Sequence, residues 1–182
     1  MSATSPVTRP EVGEYAPYYE KYIALTREGD VIEILERQAA ETLALLRGLS
    51  EEQAATRYEP GKWSVKELVG HIIDGERVFA YRALRFARGD RTPLPGFEQD
   101  DYVAGGNFDA RTLRDLADEF EHVRRATIAL LRPLGAEAWR LAGTANDNGV
   151  SVRALAHIIA GHELHHVRVL REKYLRTPSG AE

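Results

Sequence analysis

His162 and His166 stand four apart in the run Gly161-His162-Glu163-Leu164-His165-His166. On an α-helix that spacing puts both imidazoles on one face, one turn above the other. Two imidazoles so placed can grip one divalent cation. A third ligand from a neighbouring helix would complete a facial set and leave positions for water or substrate. The chain has no cysteine, which excludes disulfides, thiolate ligands and a cysteine nucleophile, so any metal must use His, Asp or Glu.

Four helical patterns supply the elements that must position such a site. The first opens at Asp30, with Glu33 three residues on as in a capping box, and runs through Ile34, Leu35 and Leu46 to Gly48. The second opens at Ser64, again with Glu67 three later, and runs to about Arg88, stopped by Gly89. The third is expected to open at Asp109 and end before Pro133, and the fourth to run from Ser151 to about Tyr174, with Pro178 beyond. No segment alternates at period two for long enough to predict a strand. The pattern predicts an all-α four-helix bundle. Residues 1–29 have no clean period and read as an extension that packs on the bundle or frays from it, 30–176 as the helical domain and 177–182 as a flexible tail.

An internal repeat supports pairing the second and fourth helices. Leu45-Leu46-Arg47-Gly48-Leu49 resembles Leu130-Leu131-Arg132-Pro133-Leu134, and Ser64-Val65-Lys66-Glu67-Leu68 resembles Ser151-Val152-Arg153-Ala154-Leu155. Two copies of one helical hairpin would bring those helices together. The Pro- and Gly-rich stretch from Gly89 to Asp109 reads as the long loop between the halves.

On a helical wheel, Leu155, Ile158, Ile159, Val169 and Leu170 define the apolar arc of the fourth helix. His162 and His166 fall near its middle, His165 at its edge and His157 on the far side. On the second helix Glu76 lies inside the arc, whereas His71 lies on its flank, roughly 110° from the centre. Pattern alone favours Glu76 as the inward group, with His71 not excluded because Gly70 beside it would let another helix come close. A surface histidine at 71, and a glutamate at 76 paired with Arg82 or Arg85, are the alternatives. Glu119-x-x-His122 and Glu163-x-x-His166 match the spacing of di-iron carboxylate bundles, but His122 points away from the apolar face, which argues against that chemistry. The stripe Arg82, Arg85, Arg88 and Arg91 reads first as a solvated face pairing with acidic neighbours and second as an anchor for an anionic substrate.

The bulk numbers narrow the function classes. Of 182 residues, 43% are hydrophobic and 29% charged, with a net charge of −4. That leaves no broad basic surface for nucleic acid. No apolar run approaches the roughly 20 residues that span a bilayer. The first residues, Met1-Ser2-Ala3-Thr4-Ser5-Pro6, do not read as a secretory signal, so a cytoplasmic protein is expected. Phosphate-binding glycine loops and a Gly-x-Ser-x-Gly elbow are missing.

The segments Trp63-Ser64-Val65-Lys66-Glu67-Leu68-Val69-Gly70-His71 and His157-Ile158-Ile159-Ala160-Gly161-His162-Glu163-Leu164-His165-His166 resemble the DinB/YfiT-like superfamily, as does the loop text Arg88-Gly89-Asp90 through Leu94-Pro95-Gly96-Phe97. The resemblance covers about Asp30 to Leu175. It implies a four-helix bundle with an unusual connection order, often dimeric, and a metal triad of one second-helix and two fourth-helix histidines. Carried residue by residue, these are His71, His162 and His166, which overrides the wheel's preference for Glu76. Glu76 then becomes a candidate for orienting a ligand imidazole or a bound water. The family is associated with zinc or nickel, and some relatives are thiol S-transferases or isomerases that use low-molecular-weight thiol cofactors. The expectation is a metal-dependent enzyme whose ion activates a small thiol or water for transfer to a small-molecule substrate. The rival is a non-catalytic, stress-related bundle whose metal is structural or absent.

Overall fold

A computed structural model describes residues 7–175. The elements are, in order, α1 (Glu20–Ile23), α2 (Val31–Arg47), α3 (Glu51–Ala54), α4 (Val65–Ala87), α5 (Gln99–Gly105), α6 (Leu113–Leu131), α7 (Ala136–Arg140), the strands β1 (Ala142–Ala145) and β2 (Asn148–Ser151), and α8 (Val152–Val169), which continues into a π-helical turn, Leu170–Tyr174. The long helices α2, α4, α6 and α8 form the bundle, with α4 packed against both α6 and α8. Met1–Pro6, Pro178 and the tail expected at 177–182 lie outside the described residues.

The caps explain where the helices begin. Ser64 and Glu67 close the expected reciprocal box, the Ser64 hydroxyl accepting from the Glu67 amide and the Glu67 carboxylate from the Ser64 amide. Asp30 caps α2 differently. One carboxylate oxygen takes the Ile32 amide at 2.8 Å and the other takes the Val7 amide at 3.0 Å. The second contact ties the N-terminal segment to the bundle instead of completing a box with Glu33. The cap of α6 is Thr112, not Asp109, because Phe108–Ala110 winds as a separate 3-10 turn. Asp109 serves elsewhere, accepting from the Ser64 hydroxyl at 2.5 Å and from Arg57 at 2.6 Å.

Two expectations need correction. The chain does contain strands. β1 and β2 form an antiparallel hairpin in the register Ala142↔Ser151 to Ala145↔Asn148. Its turn residues Asn146 and Asp147 have φ of 50° and 60°, the left-handed pair that matches the twist of a two-residue hairpin. Four-residue strands without apolar alternation leave no period-two signal. The Gly89–Asp109 loop also carries a helix of its own, α5. Leu94 pins that loop to the hairpin, donating to Thr144 O at 2.9 Å and accepting from Asn146 N at 3.0 Å.

The core has two apolar clusters. Ile34, Leu35, Phe79, Phe86, Leu131, Leu155 and Ile158 belong to one; Leu43, Leu46, Leu68, Ile72, Leu116, Phe120 and Leu170 belong to the other. Each long helix carries a buried polar residue at a chain position between its contributions to the two clusters: Thr42, Glu76, Arg124 and Glu163. Arg124 holds the belt together. Its Nε and Nη2 clasp Glu76 at 2.8–3.1 Å, and its Nη1 meets Glu163 at 2.7 Å and Leu35 O at 3.2 Å. Glu163 also accepts from the Thr42 hydroxyl at 2.5 Å.

The N-terminal segment makes α8 a central helix, packed on α1 as well as on α2 and α4. This buries His157 completely, correcting its expected place on the far side. The Thr26 hydroxyl donates to Ile23 O at 2.8 Å, so it accepts from His157 Nδ1, 3.2 Å away. Burial pushes the His157 pKa down to about 4, with Arg9 adding to the effect. A histidine that titrates near 6.5 unfolded and near 4 folded binds fewer protons in the native state, so stability falls as pH drops through that window. His157→Gln removes this share. The loss of unfolding free energy between pH 7 and pH 4.5, read from urea titrations, is expected to shrink by on the order of 2 kcal/mol.

Candidate metal centre

Three helical turns bring the histidines together. His71 lies in the second turn of α4, and His162 and His166 occupy successive turns of α8. Their ligand nitrogens all lie within 4.8 Å of one another, and His71 Nε2 stands 3.0 Å from His162 Nε2. That separation suits a hydrogen bond between one protonated and one bare nitrogen. It is also near the roughly 3.3 Å between two nitrogens sharing a tetrahedral ion at about 2.0–2.1 Å. Both ring nitrogens of His166 are buried without a hydrogen-bond partner among the described residues. A buried polar atom left so costs roughly 1–3 kcal/mol, and coordination of a cation would satisfy it. The donor set, three imidazoles and no thiolate, suits a borderline divalent ion such as zinc or nickel.

Small residues make the convergence possible. Gly75 on α4 faces His162, where a Cβ would stand 3.0 Å from the ring. At Gly70 a Cβ would meet the Phe108 ring at 2.4 Å, so the neighbour that Gly70 admits is an aromatic side chain rather than a helix. Aromatic rings wall the cluster. Trp63 lies 4.8 Å from His71, and Tyr22 and Phe79 lie 5.4 and 5.8 Å from His162. His165 is half-buried at the edge, 4.9 Å from the His166 ring and 5.5 Å from Tyr22.

The electrostatics favour ligation. Burial drives the pKa of His71 down to about 4 and that of His166 down to about 2, with His165 adding to both and His71 adding to His166. His162 falls well below its usual value for the same reason, its two partner imidazoles contributing. All three rings are therefore neutral at pH 7, the form that binds a cation.

Glu76 is buried, as its place in the arc predicts, but its carboxylate is spent on Arg124. Its partner is neither Arg82 nor Arg85, and neither a histidine nor the cavity is where it points its charge. Arg124 went unnoticed in the sequence although it sits in the apolar register of α6, four residues after Phe120 and four before Ile128. The di-iron pattern does not assemble: Glu119 pairs with Arg77 and Arg111, and His122 is exposed. The arginine stripe divides. Arg85 pairs with Asp90, Arg88 and Arg91 are exposed, and Arg82 is buried.

A cavity of about 390 Å³ opens onto the cluster. His71 and His162 form part of its lining, together with Tyr19, Tyr22, Phe79 and Arg82. The N-terminal tyrosines, residues 96–100 and the hairpin asparagines complete its walls.

No curated protein matches the chain in sequence. Among solved structures it is similar to YfiT from Bacillus subtilis, described as a probable metal-dependent hydrolase with an unusual four-helix bundle topology. The TM-score is 0.68 at 17% identity, over 91% of this chain and 94% of that one. It is also similar to a mycothiol-dependent maleylpyruvate isomerase, with a TM-score of 0.61 at 16% identity, over 75% of this chain but only 58% of the isomerase. At these identities the likeness establishes the fold, a YfiT-type four-helix bundle. The sequence profile of the DinB superfamily matches residues 34–170, which takes in nearly all of the bundle and every histidine of the cluster, and the chain belongs to that superfamily.

Proposed function

We propose that the protein is a metal-dependent enzyme acting on a small-molecule substrate, with His71, His162 and His166 holding one divalent ion, zinc or nickel. The observation that carries this reading is the cluster of three neutral imidazoles, two of them buried at a cavity wall and the third, His166, with both ring nitrogens unpartnered among the described residues. An ion there would supply Lewis acidity, lowering the pKa of a thiol or water brought to it. The chain's own residues do the rest. Trp63, Tyr22 and Phe79 shield the imidazoles from bulk water, which strengthens electrostatic interactions inside. Because the chain has no cysteine, a thiol nucleophile must arrive as a second small molecule. Transfer of a low-molecular-weight thiol and hydrolysis by water are the two forms of the reaction. The activities described for the isomerase and for YfiT lend support to each in turn.

A non-catalytic bundle with a structural ion would call for a closed coordination shell. Two of the three histidines instead line an open cavity, which favours the enzyme. Elemental analysis of protein purified without an affinity tag tests the assignment. The expected result is one zinc or nickel per chain in the wild type and none in His162→Ala or His166→Gln, each checked for folding by circular dichroism. One ion per chain retained in His162→Ala would overturn it.

A further inference from the structure

Two arginines of the described residues are almost wholly buried, and they are treated very differently. Arg124 is surrounded by two carboxylates. Arg82, 3% exposed, has no ion-pair partner among the described residues; it donates to Pro95 O at 2.8 Å, reaches the Tyr19 hydroxyl and lies against the rings of Phe79 and Phe97. A guanidinium carries five donors and cannot shed its charge. One carbonyl, one hydroxyl and two ring faces give that buried charge no carboxylate to neutralise it among the described residues. Arg82 is also part of the cavity lining, and the cavity is where its charge can meet a carboxylate.

The site is laid out along one face of α4. His71, Gly75, Phe79 and Arg82 follow at helical spacing, about 16 Å from first to last along the axis. Phe79 joins the two ends, with its ring 5.8 Å from that of His162 and 5.9 Å from the Arg82 guanidinium carbon. Tyr19 and Phe97 supply further aromatic wall. We propose that Arg82 anchors the substrate through a carboxylate. The ligand class is then a small organic acid whose flat, apolar body lies over Phe79 and whose far end meets the histidine cluster. Glu98 and Asp100 also line the cavity and are exposed, so an anion that the guanidinium fork does not hold meets their repulsion.

This deepens the functional reading of the same pocket, but the anchoring contact needs no ion, so the two can fail separately. The probes are trans-cinnamate, its neutral amide and inorganic phosphate, titrated calorimetrically into protein as purified and after chelation. Cinnamate is expected to bind both forms, the amide and phosphate at least about tenfold more weakly. Arg82→Gln should weaken cinnamate by about tenfold or more and leave the amide unchanged, while Arg82→Lys, which keeps the charge and loses the fork, should fall between them. Melting curves of both variants check that the Pro95 contact is not what was lost. Three outcomes would overturn the proposal: cinnamate failing to bind, binding that Arg82→Gln does not alter, or phosphate binding as well as cinnamate. Cinnamate that needs the ion and ignores Arg82 would sink the anchor and leave the metal centre standing. An absence of metal, with Arg82-dependent binding intact, would do the reverse.

Discussion

Arg124→Leu is expected to be the most destabilising single substitution in the bundle, at about 3–5 kcal/mol. The leucine fills much of the arginine stem's volume but strands Glu76 and Glu163, which are 2% and 1% exposed. For a domain of this size that is a fall in melting temperature on the order of 10 °C. The sign of its pH dependence is fixed by the same contacts. In the wild type, burial already raises the Glu163 carboxyl against the pull of Arg124 and Thr42. Without the cation, the folded state holds a proton on Glu163 at pH values where the unfolded chain, titrating near 4.3, has released it. Stability of the variant relative to wild type therefore improves as pH falls from 7 toward 4.3 and is worst at alkaline pH. Thermal unfolding of both proteins across that range checks both magnitude and sign. Adding Glu76→Gln and Glu163→Gln to the variant is expected to recover part of the loss, since the neutral amides cost less to bury than stranded carboxylates.

Gly161→Ala is expected to destabilise, although alanine is ordinarily the better helix former by about 0.5–1 kcal/mol. The added Cβ would stand 2.1 Å from Tyr22 O and 2.4 Å from Tyr22 C. Backbone cannot yield as a side-chain tip can, so α1 must lift from α8, at a cost of about 1–3 kcal/mol or more. The change is not only energetic. Tyr22 is an edge-on neighbour of both His162 and His165 and part of the cavity lining. Lifting α1 therefore opens the histidine cluster to water. A lower melting temperature, faster proteolysis within residues 7–29 and weaker metal retention are the expected signs. Unchanged melting would mean that α1 does not bear on α8 as described.

The histidine cluster itself was within reach of the sequence only in part. His162 and His166 share a face because they are four apart on a helix, whatever that helix packs against. Choosing between Glu76 and His71 was beyond the wheel. It draws one buried arc, whereas α4 is covered more widely: α6 and α8 on two sides, and Phe108 and Trp63 over Gly70 and His71. Both residues are buried, but Glu76 turns to Arg124 and His71 to His162. Family resemblance, not periodicity, singled out His71. For His157 the signal was misleading, since a residue opposite the apolar arc is exposed only if nothing covers that side, and here the N-terminal segment does.

What the sequence alone determined is local: the start of α4 through the reciprocal bonds of Ser64 and Glu67, the end of that helix near Gly89, and the shared face of His162 and His166. These depend on residues within a few positions of one another, whose geometry the helix repeat dictates. Only the tertiary structure decided that Arg124 would meet two carboxylates while Arg82 met none among the described residues, that a patternless N-terminal stretch would roof the cavity, and that Asn146 and Asp147 would turn a hairpin beside it. Those outcomes turn on which groups lie opposite one another across the bundle. That is a matter of packing between distant segments, on which short-range spacing carries no information.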